Sequence, residues 1–435
     1  MIRTLARPVA HARTGAVGAT PVRLPRTSLL DFDFVGRPSI AAPGIGALAF
    51  TRASTGYRRN ASGLLESMAA DVPRFDHHPG TLAPLGLLIE DARTNLGLRS
   101  EELDNAAWSK SETTVSANAS VAPDGATTAD KAVPSTANAE HVVSQTITIS
   151  AGASLTLSVF AKAAGNGKFA VYAVPANSLY ATFDLAAGVV AASAVVGGGA
   201  IVATSIEAYG GGWHRCRLTA TFGADTSIPV RLQITQSDSP AGFAGDGTSG
   251  VLFWGFQAEV GIFSSSYIKT TSATVTRAAD ICTMPLGAWF NAAEGTMFVE
   301  FDLLAVGGAF GGMSPMMFHD GTTANLINVR HLAAGAAGVR MVESGTQRYN
   351  LNSGTGTLVA NAVVKTAHAW RVSDQSGSAN GLGPVTATHD TIPAFSAMSL
   401  GAALSGAENT FIGHIRRASY WSRRLPNTVL QSLTR

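Results

Sequence analysis

The sequence has few charges, few cysteines and no long apolar run. Charged residues make up 14% of the chain, where an ordinary soluble domain has roughly 25%. The 31 basic and 29 acidic side chains leave a formal net charge of +2, which excludes a nucleic-acid binder driven by bulk charge. Two cysteines are too few for a disulfide scaffold or a four-ligand zinc site. Because no stretch approaches about 18 uninterrupted apolar residues, we expect no membrane insertion.

The chain nevertheless has enough apolar residues to fold. Its length of 435 residues is too great for one compact β-domain and suits two or three. Apolar residues make up 46% of it, and Gly alone fills 46 positions. This composition excludes intrinsic disorder and favours a Gly/Ala-rich protein made mainly of β-strands.

The N-terminal region has a composition of its own. The first 26 residues contain five arginines and no acidic residue, and they lack the continuous apolar core of a secretory signal peptide. We interpret them as an extended arm that could lie in a groove on a partner. Residues 31–96 are rich in turns and too poor in apolar residues to form a core alone. We therefore expect residues 1–96 to be an irregular anchoring and oligomerisation segment, packed on the next domain or a neighbouring subunit.

After Trp108 the pattern changes to short alternating runs. Residues 142–149 and 154–161 are typical of strands separated by a turn. Similar runs recur at intervals of roughly 10–20 residues without a helical pattern, which predicts an antiparallel sandwich or jelly roll over 97–262. A Ser/Thr-rich stretch within 263–287 indicates a linker.

A second set of strands follows the linker. In residues 296–304 the side chains of Met297, Val299, Phe301 and Leu303 alternate with their neighbours and should face one side. We expect residues 288–435 to form a second sandwich. The predicted fold class is all-β, with two antiparallel β-sandwiches (jelly rolls) in tandem after the N-terminal segment.

Eight short motifs recur in an order that resembles a known group of proteins. They are FTRAST (50–55), PRFD (73–76), GLLIEDARTNL (86–96), NAAW (105–108), GWHRC (212–216), WGFQAE (254–259), YIKTT (267–271) and VTRAAD (275–280). This order resembles the virion fibre and spike proteins of tailed bacteriophages and of alphaproteobacterial gene transfer agents, including their head spikes. The resemblance covers about residues 45–280.

The resemblance implies a fold and a role. Residues 97–260 look like a carbohydrate-binding module, and residues 288–435 look like a laminin-G or concanavalin-A-like lectin. It further implies capsid or tail proteins and further copies of the chain as partners, with five copies at a capsid vertex or three in a fibre. The expected location is the surface of a particle assembled in the bacterial cytoplasm.

Sugar binding calls for rigid aromatic faces and short polar side chains. The chain has six Trp and seven Tyr, and we expect most of them, Trp254 in particular, to be buried. Tyr172 and Tyr180 are the aromatic candidates. The polar candidates on nearby loops are Asn166, Asn177 and Asp246.

Signs of catalysis or metal binding are sparse. Glu300 and Asp302 share one face of a predicted strand, but a concanavalin-like glycosidase needs a further acid where Ala305 stands. We interpret His77 and His78 as structural, because neighbouring side chains of an extended chain point apart. Family analogy allows a structural calcium ion at Asp124, Asp130 or Glu259, although no calcium-loop spacing supports it. No cofactor is predicted, and Cys216 and Cys282 are expected to be buried thiols.

The leading hypothesis is a non-enzymatic virion spike or fibre subunit that binds host capsular polysaccharide. Two alternatives remain open at this point. One is a capsule-degrading depolymerase, which needs two convergent acids in a cleft. The other is a structural head or tail decoration protein that contacts only its particle.

Overall fold

The computed structural model describes residues 28–174, 178–306, 312–331, 336–353, 358–401, 404 and 411–435. Its named strands pair antiparallel throughout, in two sandwiches and several short ribbons. This confirms the predicted fold class. No helix in these ranges is long and apolar enough to cross a membrane.

From residue 28, where the described part of the chain begins, nine short strands precede the first sandwich. They are β1 (Leu30–Asp33), β2 (Ala41–Ala42), β3 (Gly46–Ala47), β4 (Ala49–Thr51), β5 (Gly56–Arg59), β6 (Leu65–Met68), β7 (Arg74–His77), β8 (Pro84–Ile89) and β9 (Arg93–Asn95).

The described residues of the first sandwich form fourteen strands. They are β10 (Ser109–Ser111), β11 (Thr113–Ser120), β12 (Ala129–Pro134), β13 (Asn138–Ala139), β14 (His141–Thr148), β15 (Ser154–Ala164), β16 (Lys168–Ala173), β17 (Leu179–Asp184), β18 (Val189–Val195), β19 (Ala200–Ala208), β20 (His214–Thr221), β21 (Ser227–Thr235), β22 (Phe243–Ala244) and β23 (Gly250–Val260).

Twelve of these strands form its two main sheets. The tyrosine sheet has the order β10-β14-β21-β16-β17-β18, and the junction sheet has the order β11-β12-β23-β15-β20-β19. Alternation explains the core between them: Phe169, Val171 and Ala173 of β16 point inward, as do Leu155 and Leu157 of β15.

Twelve further strands and one helix follow in the ranges that the structure describes. They are β24 (Val275–Arg277), β25 (Ile281–Pro285), β26 (Glu294–Leu303), β27 (Met316–His319), β28 (Leu326–His331), β29 (Ala337–Glu343), β30 (Thr346–Asn352), β31 (Val364–Arg371), β32 (Gln375–Ala379), β33 (Val385–Ala387), β34 (Ala397–Leu400), β35 (Gly413–Trp421) and α1 (Asn427–Leu433). The predicted inward face of β26 is confirmed, because Met297, Val299, Phe301 and Leu303 all lie in the second core.

The second sandwich is built from both ends of the chain, which the sequence pattern did not indicate. One sheet has the order β33-β32-β31-β26-β35-β8-β7, with β1 also paired to β35. The other has the order β30-β29-β28-β27-β34-β25-β4. Leu30, Leu87 and Ile89 enter its core fully buried. The turn-rich N-terminal segment therefore packs by adding β1, β7 and β8 to one sheet of the second sandwich and β4 to the other, and the first sandwich is inserted within the second.

A buried ion network holds this insertion in place. Arg74 bonds both Glu90 (2.7 Å) and Asp280 (2.5 Å), and Arg52 bonds the other oxygen of Asp280 at 3.2 Å. Arg277 lies 3.5 Å from Glu90. Although burial opposes ionisation, Arg277 and Arg74 hold the pKa of Glu90 below its usual value. Because the network joins β4, β7 and β8 to the segment after β24, it fixes the chain entering and leaving the inserted sandwich.

A second buried cluster continues the junction. The Asn95 amide donates to the carbonyls of Phe256 (3.1 Å) and Ile268 (2.8 Å), and its oxygen accepts from the backbone of Ala258. Gly255, in the same stretch of β23, has a φ of +65° where the pairing to β15 shifts register. The WGFQAE, GLLIEDARTNL and YIKTT motifs thus meet here, and their role in this structure is to pack the junction.

Candidate functional site

Accessible aromatic rings are confined to a few places. Eight of the thirteen Trp and Tyr side chains are buried, namely Trp108, Trp213, Trp254, Tyr267, Tyr349, Trp370, Tyr420 and Trp421. The expectation that most are core, Trp254 included, is confirmed. The half-buried rings are Tyr57, Tyr172, Tyr180, Tyr209 and Trp289.

Tyr172 and Tyr180 form an aromatic pair on the outer face of the tyrosine sheet. They stand opposite each other on β16 and β17, with ring centroids 5.8 Å apart and planes at 76°. On the neighbouring strands, Arg231 of β21 stands beside Tyr172 and Ala194 of β18 stands beside Tyr180, so these side chains form one row across the sheet. Ser144 follows Arg231. Because Ser144 and Ala194, at the two ends of this row, are small, the two tyrosine rings stay accessible along it.

Charged side chains surround this pair. The Arg231 guanidinium lies 5.8 Å from the Tyr172 ring centroid and bonds Glu140 at 3.0 Å. Farther along β16, Lys168 lies 2.7 Å from Asp238. The face therefore offers flat apolar surface together with donors and acceptors, which is the chemistry that a sugar ring requires. We call Tyr172, Tyr180 and Arg231 the tyrosine face.

The other predicted site residues are not brought to this face. Asn166 precedes β16 and is 9% exposed, and six residues of extended chain, roughly 20 Å, separate it from Tyr172. Asp246 is exposed and lies in the turn before Gly250, whose carbonyl accepts from the backbone amide of Asn166 (3.1 Å). Its carboxylate accepts from the backbone of Thr248 and Ser249, which shapes a turn. Asn177 lies outside the described residues.

A cavity of about 610 Å³ opens between the two sandwiches. We call it the interdomain cleft. Its walls come from β5, β7, β19, β20, β26 and β35. Residues 262–267, which cross over the junction sheet, also line it. The half-buried Tyr57 and Tyr209 both line it. Sequence reasoning missed this site because its walls come from segments that are distant in the chain.

The cleft carboxylates are engaged by cations. His414 lies between Asp302 (2.8 Å) and Asp76 (3.3 Å). Although burial opposes its charged form, these two carboxylates raise the pKa of His414 to about 10. Glu207 bonds Arg217 at 2.7 Å. A charged imidazole clamped in this way cannot serve as a general base near neutral pH.

The two acids that the sequence placed on one face of a strand, Glu300 and Asp302, have different partners in the structure. Asp302 is buried against His414, whereas Glu300 bonds Arg416 at 3.2 Å. The ring Nδ1–H of His77 donates to the carbonyl of Arg59 (3.1 Å). His78 accepts from two backbone amides of its turn.

Each of the three carboxylates considered as calcium ligands accepts hydrogen bonds from the protein. Asp130 accepts from the backbone of Leu103 (2.6 Å) and Asn118 (2.9 Å). Glu259 accepts from Ser265 through both its backbone and its hydroxyl, and Asp124 accepts from the backbone two residues on. Among the described residues, no group of three or more His, Cys, Asp or Glu side chains could hold a metal ion. Cys216 and Cys282 are free and buried, as predicted.

Comparison with known proteins gives only distant structural matches. No family model matches the sequence, and no curated protein matches it. A Ruminococcus gnavus IT-sialidase CBM40 is 16% identical, covering 33% of this chain and 84% of its own, with a TM-score of 0.29. Mouse laminin α1 domains LG4-5 are 11% identical, covering 81% and 94%, with a TM-score of 0.23.

A third solved structure matches with a similarly low identity and TM-score. The heptameric SAP-like pentraxin of Limulus polyphemus is 11% identical, covering 33% of this chain and 70% of its own, with a TM-score of 0.26. The neighbours thus include a carbohydrate-binding module and laminin-G domains. At these TM-scores they say nothing about which residues of this chain bind a ligand.

Proposed function

We propose that this protein is a non-enzymatic subunit on the surface of a phage-like particle, and that it binds host capsular polysaccharide through the tyrosine face. The observation that carries the proposal is the half-buried pair of Tyr172 and Tyr180, with Arg231 beside it on an open row of the sheet. Rigid rings order few other groups on binding, so they are efficient platforms for sugars. An open row also accommodates a long chain rather than a chain end.

Several copies on one particle would make a weak site effective. A single sugar exchanges water for protein at small net gain, but linked copies raise avidity by factors of about 10² to 10⁴. We propose that the N-terminal arm anchors the subunit to capsid or tail proteins and to sister copies. Residues 1–27 of this arm lie outside the described residues.

The carboxylates of the cleft are paired with cations, which favours binding of a polysaccharide over its hydrolysis. A glycosidase needs one carboxylic acid and one free carboxylate flanking the scissile bond. In the cleft, Asp76 and Asp302 share the charge of His414, and Glu207 is held by Arg217. This arrangement supports a binding role for the molecule.

The test is binding of the purified full-length chain to host cells with and without their capsule, with released reducing sugar assayed in parallel. We expect capsule-dependent binding and no sugar release. The double variant Tyr172→Ala/Tyr180→Ala should lose binding, whereas Tyr172→Phe/Tyr180→Phe, which keeps both rings, should retain most of it. Sugar release would establish a depolymerase instead, and no binding would leave a structural decoration protein.

A further inference from the structure

Two buried arginines at the interdomain cleft have no carboxylate in salt-bridge contact. Arg59 is 3% exposed and Arg215 is 4% exposed, and both line the cavity. Neither forms an ion pair within the described part of the chain, whereas neighbouring Arg58 bonds Glu66 and Arg217 bonds Glu207. Within the residues that the structure describes, the cleft wall therefore carries two guanidinium groups without a carboxylate at ion-pair distance.

Of the two guanidinium groups, that of Arg59 has fewer hydrogen-bond acceptors. Arg215 donates to the Ser158 hydroxyl (3.1 Å) and the Ser265 carbonyl (2.9 Å). By contrast, neither terminal nitrogen of Arg59 has an acceptor in the described residues. Its guanidinium carbon instead lies 3.4 Å from the ring centroid of Tyr209. A cation–π contact offsets part of the cost of burial, but it does not satisfy the N–H donors.

The nearby acids form no direct ion pair with Arg59 among the described residues. One oxygen of Asp76 accepts from the Arg59 backbone amide at 2.6 Å, and the other faces His414. Glu207 is bonded to Arg217. Burial lowers the pKa of the Arg59 guanidinium below its usual value. A buried charge without a partner costs free energy, and an entering anion would recover part of that cost.

We propose that the interdomain cleft binds a carboxylate-bearing saccharide, with the carboxylate paired to Arg59 beside Tyr209. The planar guanidinium fork matches a carboxylate in a two-point hydrogen bond. Because Tyr209 covers the guanidinium, its ring turns aside as the ligand enters. Tyr209 is half-buried and adjoins three consecutive glycines with positive φ, Gly210 to Gly212, so its position can adjust at small backbone cost.

The size and lining of the cleft select a saccharide over a simple anion. A volume of about 610 Å³ lies within the range of small-molecule sites and far exceeds one carboxylate. The walls supply hydroxyl and amide groups from Ser205, Ser264 and Asn361, which suit sugar hydroxyls. This ligand class deepens the proposed function and rests on it: the acidic sugar would be part of the host polysaccharide, held at a site separate from the tyrosine face.

Isothermal titration calorimetry of the full-length chain tests the proposal. The probes are trigalacturonate, 3′-sialyllactose, and carboxyl-reduced trigalacturonate as the neutral match. We expect at least one acidic probe to bind and the neutral probe to bind about tenfold or more weaker, as for loss of a charged hydrogen bond. The acidic probe that binds distinguishes uronate from sialate sugars. Binding of neither acidic probe, or equal binding of the neutral probe, overturns the proposal.

Variants locate the site. Arg59→Met should lose acidic-probe binding at least about tenfold without lowering the unfolding midpoint of the ligand-free protein, whereas a purely structural arginine would lower it. Arg371→Met, whose charge is paired with Asp374 at 2.7 Å and which does not line the cleft, is the control and should bind normally. Acidic-probe binding unchanged in Arg59→Met would overturn the assignment. The probe comparison needs no variant, so it decides the matter even if Arg59→Met does not fold.

The same series separates this proposal from the proposed function. Tyr172→Ala/Tyr180→Ala should bind the acidic probe as wild type does. If the wild type binds encapsulated cells but no acidic probe, the cleft proposal fails alone. If it binds the acidic probe but not the capsule, the proposed function fails.

Discussion

The two outer faces of the first sandwich differ in almost every respect. The face of the junction sheet packs Phe160 and Trp254 against Tyr267 and Leu65 of the covering segments. The face of the tyrosine sheet carries half-buried Tyr172 and Tyr180 among small and charged residues. One sandwich thus uses one sheet to join the molecule and leaves the other for contact.

This contrast shows what the recognisable motifs do in the structure. Arg52, Arg74, Glu90 and Asp280 come from four of the eight short sequence motifs, and they meet in one buried ion network. No residue of the tyrosine face belongs to such a motif. These motifs therefore build the scaffold, while the proposed ligand surface consists of residues outside them.

Breaking the buried network should give the largest effect. Asp280→Ala removes the carboxylate that bonds Arg52 and Arg74, which leaves buried Arg52 without its carboxylate partner and Arg74 with Glu90 alone. We expect a loss of about 3–5 kcal/mol in the free energy of unfolding, measured by chemical denaturation. Thr276→Ala, an exposed change on nearby β24, is the control. A loss below about 1 kcal/mol would contradict the role given to the network.

The cleft side of the junction should show a pH dependence. Asp302 and Asp76 raise the pKa of His414 to about 10 from an unperturbed 6.5. Because the folded pKa is the higher one, the stabilisation is fully present below pH 6.5 and is lost as the pH rises towards 10.

Thermal unfolding from pH 6 to 10 measures this loss. The wild type should lose stability over the range, and His414→Gln, which is neutral throughout, should lose distinctly less. Parallel profiles for the two proteins would show that His414 does not carry the charge assigned to it.

The tyrosine face should respond in the opposite sense, with function lost and stability kept. Tyr172→Ala/Tyr180→Ala should lower capsule binding about tenfold or more, since each aromatic contact contributes about 0.5–1.5 kcal/mol beyond its area. The unfolding midpoint should move little, because both side chains are only half-buried. A large fall in the midpoint would show that the pair is structural.

The smallest effect is expected at Arg231. Its bond to Glu140 lies at the surface, with 31% and 51% of the two side chains exposed. Arg231→Gln should change the free energy of unfolding by less than about 1 kcal/mol. Comparing this value with that for Asp280→Ala, both by chemical denaturation, tests the contrast between exposed and buried ion pairs. Similar losses would remove that contrast.

Local patterns in the sequence predicted the sandwiches because alternation is a local signal. The inward face of β26 and the burial of Trp254 followed from spacing and residue type. The insertion of one sandwich into the other was not predictable in this way. It depends on β8 pairing with β35, more than 300 residues later, and no local pattern encodes that pairing.

The same limit applies to the sites. The Tyr172–Tyr180 pair could be proposed because both residues lie on neighbouring strands of one hairpin. The cleft could not, since Arg59, Tyr209 and His414 come from three separate regions of the chain. Asp76 and Arg215 did stand in recognisable motifs, but only the fold shows that they border one cavity.

Hydrogen–deuterium exchange of the full-length chain, with and without purified host capsular polysaccharide, tests the central claim most directly. The account predicts that the polysaccharide protects the strands of the tyrosine sheet that carry the pair, Lys168–Ala173 and Leu179–Asp184. Protection that leaves both strands unchanged, whether it appears elsewhere or nowhere, would contradict binding at the tyrosine face.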